Sequence, residues 1–321
     1  MNVLGATSMV VLLSTVSAVG AQEWTLPRTS WGDPDVSGVF TNKDEYGTPF
    51  ERPDEFAGKT LADFGPAEMA ALDHERQRRA RDTAASIGGS ADEDTGAGPP
   101  HWYEHLEAMN SQPWFVTEPA DGKIPASTPE AQQRQAAQRA GFAKRGRPDS
   151  YADMSLNDRC VTHGLPGSMV PGIYGSSYDI TQAPGMVAIR YEMIHETRLI
   201  PLDGSPHASP ELRFHMGDAR GHFEGDTLVV ETTNFPSRGA YRNASASLKI
   251  VERFTPVDAS HLRWEVRLED PTTWVAPWTF AMPLTRDSTQ AVFEYACHEG
   301  NLGLANILKA ARAADRAEGR H

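Results

Sequence analysis

Positive charge is scarce in this chain, and cysteine is nearly absent. Its 30 Lys and Arg stand against 43 Asp and Glu, a formal net charge of −13. A surface for DNA or RNA needs a basic excess, so nucleic-acid binding is excluded as a class. The one basic cluster, His74-Glu75-Arg76-Gln77-Arg78-Arg79-Ala80-Arg81, reads as a solvated helix face. No apolar run after residue 22 is long enough to span a bilayer. Several catalytic signatures are missing as well. There is no Gly-x-Ser-x-Gly elbow, no Walker A loop and no Gly-x-Gly-x-x-Gly after a predicted strand. The Cys-x-x-Cys-His needed for a c-type haem is absent, and no internal repeat has a fixed period.

What is present begins with an export-like segment. Met1 to Gln22 carries no charged side chain, Met9-Val10-Val11-Leu12-Leu13 forms an apolar centre, and Val19-Gly20-Ala21 supplies small residues. This pattern predicts a signal peptide over residues 1–21, cleaved after Ala21, and a periplasmic or secreted protein. An uncleaved anchor is the competing reading, since the segment has no Lys or Arg ahead of its apolar centre. The mature chain then has no transmembrane segment.

The two cysteines are Cys160 and Cys297. In an oxidising compartment two lone cysteines most simply pair with each other. A Cys160–Cys297 disulfide brings Arg159, His163, His298, Glu299 and Asn301 into one neighbourhood. The rivals are two free thiols, or zinc held by Cys160, His163, Cys297 and His298. The pattern predicts a strand over Gln290 to Cys297, which puts Cys297 and His298 on opposite faces and disfavours zinc. The same alternation lets His163 and His298 share a cavity only if the chain bends near Gly300.

The organisation changes at about residue 150. Residues 22–150 read as an extended arm with two helices and loops, packed on a main domain. Trp24, Trp31, Phe40 and Phe50 are its contacts with that surface. One helix runs from about Pro66 to Ala85; the other starts at Thr128-Pro129-Glu130, with Thr128 as N-cap. Gly88 to Gly98 reads as a flexible loop.

Residues 151–321 read as an antiparallel β domain with a C-terminal helix over Leu302 to Ala317. Leu262, Trp264, Val266 and Leu268 alternate with Arg263, Glu265, Arg267 and Glu269, the mark of a half-buried strand. Leu248, Ile250, Glu252 and Phe254 mostly continue the pattern and form a hairpin with it across Pro256 to Ser260. Further strands are expected at Tyr178–Gln182, Met186–Met193, Thr197–Leu202, Asp226–Thr233 and Thr279–Leu284. Sequential strands with short turns predict a mainly β fold, a meander forming a lipocalin-like barrel or strongly curved sheet; a β-sandwich is the alternative. In the final helix Leu304, Ile307, Leu308 and Ala311 share a face that can close a barrel end or cover an edge.

The candidate chemistry lies in three clusters. His298, Glu299 and Asn301 flank Cys297, with His163 near Cys160. His195, Glu196 and Arg198 form the second; on a strand Glu196 and Arg198 share a face, which reads as a surface ion pair or, inside a barrel, as a carboxylate-holding pair. His207 lies on a loop beyond it. The third is the stretch His215 to Asp226, a tight loop in which Asp218 and Arg220 hold backbone groups. His207, His215, His222 and Glu224 lack the spacing of a metal set, so no metal site is assigned.

The motifs Trp31-Gly32-Asp33-Pro34-Asp35, Ile200-Pro201-Leu202-Asp203-Gly204, Gly217 to Val230 and Cys297-His298-Glu299-Gly300-Asn301 together resemble an uncharacterised family of exported bacterial proteins. His215 and Phe223 stand where that family usually has Trp. The resemblance implies an exported bacterial protein and carries no catalytic assignment.

Three functions fit these residues. The first is an exported enzyme acting on a small organic molecule as a lyase, isomerase or hydrolase. It uses His298 or His195 as acid or base, Glu299 to orient a histidine, and Arg198 or Arg220 to stabilise negative charge. His163, His207, Asp218 and Asn301 are then substrate contacts, and the scheme needs no cofactor. The second is a lipocalin-like binding protein for an apolar or amphipathic ligand. The third is an envelope scaffold.

Overall fold

A computed structural model describes residues 24–87, 110–172, 174–237, 240–287, 289 and 291–319, with the backbone only for 77–87 and 145. The predicted signal peptide and the Gly88–Gly98 loop lie outside the described residues.

Ten strands make one antiparallel sheet that curls into a nearly closed barrel. They are β1 (Gly38–Thr41), β2 (Val116–Glu118), β3 (Ser177–Ala183), β4 (Met186–Tyr191), β5 (Thr197–Pro201), β6 (Asp218–Glu224), β7 (Thr227–Thr233), β8 (Lys249–Pro256), β9 (His261–Glu269) and β10 (Trp278–Arg286). The order around the barrel is β5-β4-β3-β1-β10-β9-β8-β7-β6. The alternation expected of β9 is present: Leu262, Trp264, Val266 and Leu268 are buried, and β8 faces them with Ile250, Glu252 and Phe254. The barrel is mainly β, as the strand pattern predicts.

Three expectations about the strands need correction. Residues 38–41 are not part of an arm lying on the barrel. They form β1, inserted between β3 and β10 with Phe40 fully buried. Four residues are too few to show a period. Asp218 to Glu224 is a strand and not a loop. Its glycine and charges hide an ordinary alternation, with Ala219 and Gly221 inward and Asp218, Arg220 and His222 outward. Conversely, 291–296 is not a strand. Both edges of β10 are already occupied, by β9 on one side and by β1 and β2 on the other. Cys297 instead opens a single helical turn, α3 (Cys297–Gly300).

The helices are α1 (Pro66–Ile87), α2 (Pro129–Arg145) and α4 (Leu302–Ala317). Thr128 caps α2 as expected, accepting from the Ala131 N–H at 3.1 Å. α4 neither closes the barrel nor enters its core. It lies on the segment 147–158 through Arg147 to Asp315 (3.1 Å) and Asn301 to the Asp158 carbonyl (2.8 Å). Of the predicted apolar face, Ala311 is buried while Ile307 is 45% exposed.

The inward side chains of all the long strands merge into one packed core that includes Trp264, Trp278, Phe254, Phe280, Tyr178 and Tyr191. A buried ion pair sits inside it. Arg198 on β5 reaches Glu252 on β8 with both terminal nitrogens, and the Trp264 indole donates to the same carboxylate at 3.1 Å. The expected Glu196–Arg198 surface pair is therefore replaced by a cross-barrel pair. Both side chains are almost completely shielded from water. This contact carries special weight because β5 and β6 lie side by side without ladder hydrogen bonds. At that seam a Cβ on Gly221 would stand 2.8 Å from both Ile200 Cγ2 and Leu202 Cδ2. Only glycine lets the two strands approach so closely.

Two stability predictions follow from buried charge. Arg198→Met strands the Glu252 carboxylate and is expected to cost about 3–5 kcal/mol in urea unfolding, whereas Arg198→Met/Glu252→Gln recovers most of the loss. A neutral single variant would contradict the role given to the pair. Glu45 is buried beside the Ser111 N–H (2.9 Å), and burial pushes its pKa up to about 7 against the opposing pull of Ser111 and Arg76. The folded state thus holds this proton more tightly than the unfolded chain. Its stabilising effect is full below the ordinary value of 4.5 and is lost as pH rises through about 7. Stability should drop by about 3 kcal/mol between pH 5 and pH 8, and Glu45→Gln should flatten that slope.

Candidate functional site

The barrel has two different ends. Hairpin turns at 184–185, 225–226 and 257–260 mark one; the longer connections 160–176, 192–196 and 202–217 reach the other. Most of the sequence-predicted site residues gather at the loop end or on the outer wall beside it.

The loop end is organised by the disulfide. Cys160 and Cys297 are bonded, with Cα atoms 5.6 Å apart across 137 positions of sequence. The bond removes both thiolates from any zinc site. Asn301 joins the same structure: its Oδ1 accepts from Leu304 N at 3.2 Å as the cap of α4, and its Nδ2 donates to the Asp158 carbonyl. Its polar atoms are committed to the fold rather than to a ligand. His298 and Glu299 stand exposed on α3, with no side-chain partner among the described residues. The strand that was to separate Cys297 from His298 does not exist, so the condition on a bend at Gly300 lapses.

Beside the disulfide lies Glu196, the residue where the 192–196 connection enters β5. Its carboxylate accepts from the His163 N–H at 3.0 Å and from the Thr162 hydroxyl. Burial raises its pKa; the hydrogen bonds from Thr162 and His163 and the nearby His215 and His195 only partly offset this. His195 follows Ile194 in left-handed backbone, with φ of 44° and 58°. Its Nδ1–H donates to the Tyr295 carbonyl at 3.0 Å, which leaves Nε2 as the lone-pair nitrogen of the neutral ring. His163 remains accessible, yet the surrounding protein lowers its pKa against a hydrogen bond to the Gly167 backbone. Tyr295 stacks on Tyr174 with ring centroids 6.1 Å apart. His195, His163 and Glu196 are thus brought to one rim.

A second constellation lies on the outer wall. His207 Nδ1 meets Asp218 Oδ2 at 2.9 Å and its Nε2 lies 3.4 Å from Glu231 Oε1. Arg220 binds Asp218 at 2.7 Å and the carbonyls of Ser205 and Pro206 at 3.2 and 3.0 Å. Burial pushes the Asp218 carboxyl up, but the Ala208 N–H, His207 and Arg220 outweigh it and hold the pKa low. His207, Asp218 and Arg220 therefore lie together on this wall. They clamp the 202–217 connection onto β6, the architectural reading of Asp218 and Arg220. His222 pairs with Glu224 farther along the same face, at 3.2 Å.

Arg198 does not join any of these. It sits inside the barrel, and no catalytic group at a rim can share a substrate with it. Three contributors escaped the sequence reading: Thr162, Tyr174 and Tyr295. None belongs to a motif, and only the fold brings them to Glu196.

Comparisons with known proteins add little. No family model and no curated protein matches the chain. A solved secretary abundant heat soluble (SAHS) protein from Ramazzottius varieornatus is similar over 38% of this chain and 79% of its own, with 12% identity and a TM-score of 0.26. A likeness this partial says nothing about function.

The disulfide closes a long loop, so Cys160→Ser/Cys297→Ser is expected to lose about 4–5 kcal/mol in the chain-entropy model. Urea unfolding of the variant, and of the wild type with and without reductant, measures this. Equal stability of all three would show that the tie is energetically idle.

Proposed function

We propose that the protein is an exported bacterial enzyme that acts on a small organic molecule by proton transfer at the loop-end rim. The observation that carries this reading is Glu196: a half-buried carboxyl with a raised pKa, held by the His163 N–H at 3.0 Å and near enough to the His215 and His195 rings to feel their charge. A raised carboxyl pKa moves the group toward the pH at which it can both take and return a proton. The His195 Nε2 lone pair is the second proton acceptor. Thr162 and the His163 N–H orient the carboxylate, and the Tyr174–Tyr295 stack forms an apolar wall. Lyase, isomerase and hydrolase chemistry all fit this set. The disulfide suits an oxidising compartment, and no described helix is long and apolar enough to cross a membrane.

A lipocalin-like carrier with an internal ligand fits less well, because the inward side chains already pack against one another. Binding at a barrel end is a second reading, favoured by a cleft at the hairpin-turn end.

Untargeted profiling of a bacterial small-molecule extract incubated with the protein tests the enzyme reading, with metal analysis on the same sample. Wild type should convert at least one metabolite. Glu196→Gln should slow that conversion by about 10²–10⁴-fold, and His195→Asn by a comparable or smaller factor. No conversion, or equal conversion by Glu196→Gln, contradicts the proposal.

A further inference from the structure

The Trp31-Gly32-Asp33-Pro34-Asp35 motif has no part in the loop-end site, yet it is firmly built. The Thr29 N–H donates to the Asp33 carbonyl at 2.9 Å, the Asp35 N–H to Pro27 at 2.9 Å, and the Trp31 indole to Asp33 Oδ2 at 2.9 Å. Gly32 supplies the turn, with φ of 97°. Gln182 of β3 then pins the folded loop, accepting from the Val36 N–H at 2.7 Å and donating to the Pro34 carbonyl at 3.0 Å. Arg28 adds an ion pair to Asp226 in the β6–β7 turn at 2.6 Å.

This loop forms one wall of a cleft of about 290 Å³ at the hairpin-turn end. Trp24, Leu26 and Pro27 give the wall an apolar surface, and Phe40 and Leu262 form the floor. Two opposite charges line the cleft, both attached to Ser37. The Asp35 carboxylate accepts from the Ser37 N–H at 2.9 Å, and Arg286 donates to the Ser37 carbonyl at 2.8 Å. Arg286 is further held by the Ala259 carbonyl at 3.2 Å and lies over the Phe40 ring at 4.7 Å. Its orientation is therefore set by neutral groups, and it has no carboxylate partner among the described residues. The other Asp35 oxygen has no hydrogen bond from the described residues. Asp258, also in the lining, is already engaged by His261 at 2.9 Å and by the Ser260 N–H at 2.7 Å.

A carboxylate and a guanidinium fixed on either side of one residue, yet not paired with each other, match a ligand that carries both charges. We propose that this cleft binds a small zwitterion of the α-amino-acid class with an apolar side chain. Its carboxylate meets Arg286, its ammonium meets Asp35, and its side chain lies against Trp24 and Leu26. The volume is at the small end of ligand sites, which limits the guest to roughly amino-acid or dipeptide size. The site is independent of Glu196 and stands or falls separately from the catalytic reading.

Titration calorimetry on the mature protein tests this with three probes: phenylalanine, phenethylamine, which lacks the carboxylate, and 3-phenylpropanoate, which lacks the ammonium. Phenylalanine should bind saturably, and each singly charged analogue should bind at least about tenfold more weakly. Asp35→Asn and Trp24→Ala should each weaken phenylalanine by a similar factor, with unchanged circular dichroism. Arg286→Gln also loosens two backbone contacts at the strand end, so Arg286→Lys, which keeps the charge and loses the fork, is measured beside it and should fall between wild type and Arg286→Gln. Absence of saturable phenylalanine binding, analogues that bind as well as the zwitterion, or an unchanged affinity in Asp35→Asn would each overturn the proposal.

Discussion

The Arg198–Glu252 pair is the contact on which the barrel's closure depends. β5 has a ladder partner on one side only, β4. Toward β6 it offers side-chain packing against Gly221 without backbone hydrogen bonds. An ion pair across the interior, completed by the Trp264 indole, ties this half-held strand to β8 on the far side. Removing two charges from water is expensive, and attraction at low dielectric repays that cost only when the geometry is good. Two donors from one guanidinium and a third from an indole serve the carboxylate, while the buried Arg198 Nε finds no hydrogen-bond partner among the described residues. The pair also brands the interior as a core rather than a compartment.

A filled interior moves function to the ends, and the two ends are built differently. The loop end is stapled by Cys160–Cys297 and places a carboxyl with a raised pKa among histidines, which suits proton transfer. The hairpin-turn end is shaped by a rigid aromatic turn and two fixed charges that no described residue of opposite sign pairs with, which suits recognition. The outer wall near the loop end carries a third polar set. There His207, Asp218, Arg220, Glu231 and Lys249 satisfy one another, which is how a structural network differs from a site.

Much of the fold was legible because an apolar interior imposes a period of two on every long strand. β8 and β9 show it plainly in Ile250, Phe254, Leu262 and Trp264. Glu252 stands in the inward phase of that pattern, and such a residue signals a buried cation. Its partner, 54 positions away, is invisible to local spacing, so Arg198 was paired with its neighbour Glu196 instead. β1 is too short to show a period, and β6 hides its own behind Gly221 and charges. Residues 291–296 had the composition of a strand, but both edges of the preceding strand β10 were already taken, which is a property of the whole sheet. At the loop end the cysteine pairing was readable. Thr162, Tyr174 and Tyr295 were not, since only tertiary contact brings them there. Asp35 was visible within its motif, but its use depends on Arg286 at the far end of the last strand.

The central claim is that the barrel interior is a packed core and that ligands meet the protein only at its ends. Titration with a dansyl-labelled fatty acid tests it most directly, with energy transfer from the indoles as the readout. The account predicts no saturable uptake and no transfer from Trp264 or Trp278. One-to-one uptake with strong transfer that Trp264→Phe diminishes would place a ligand inside the barrel and contradict it.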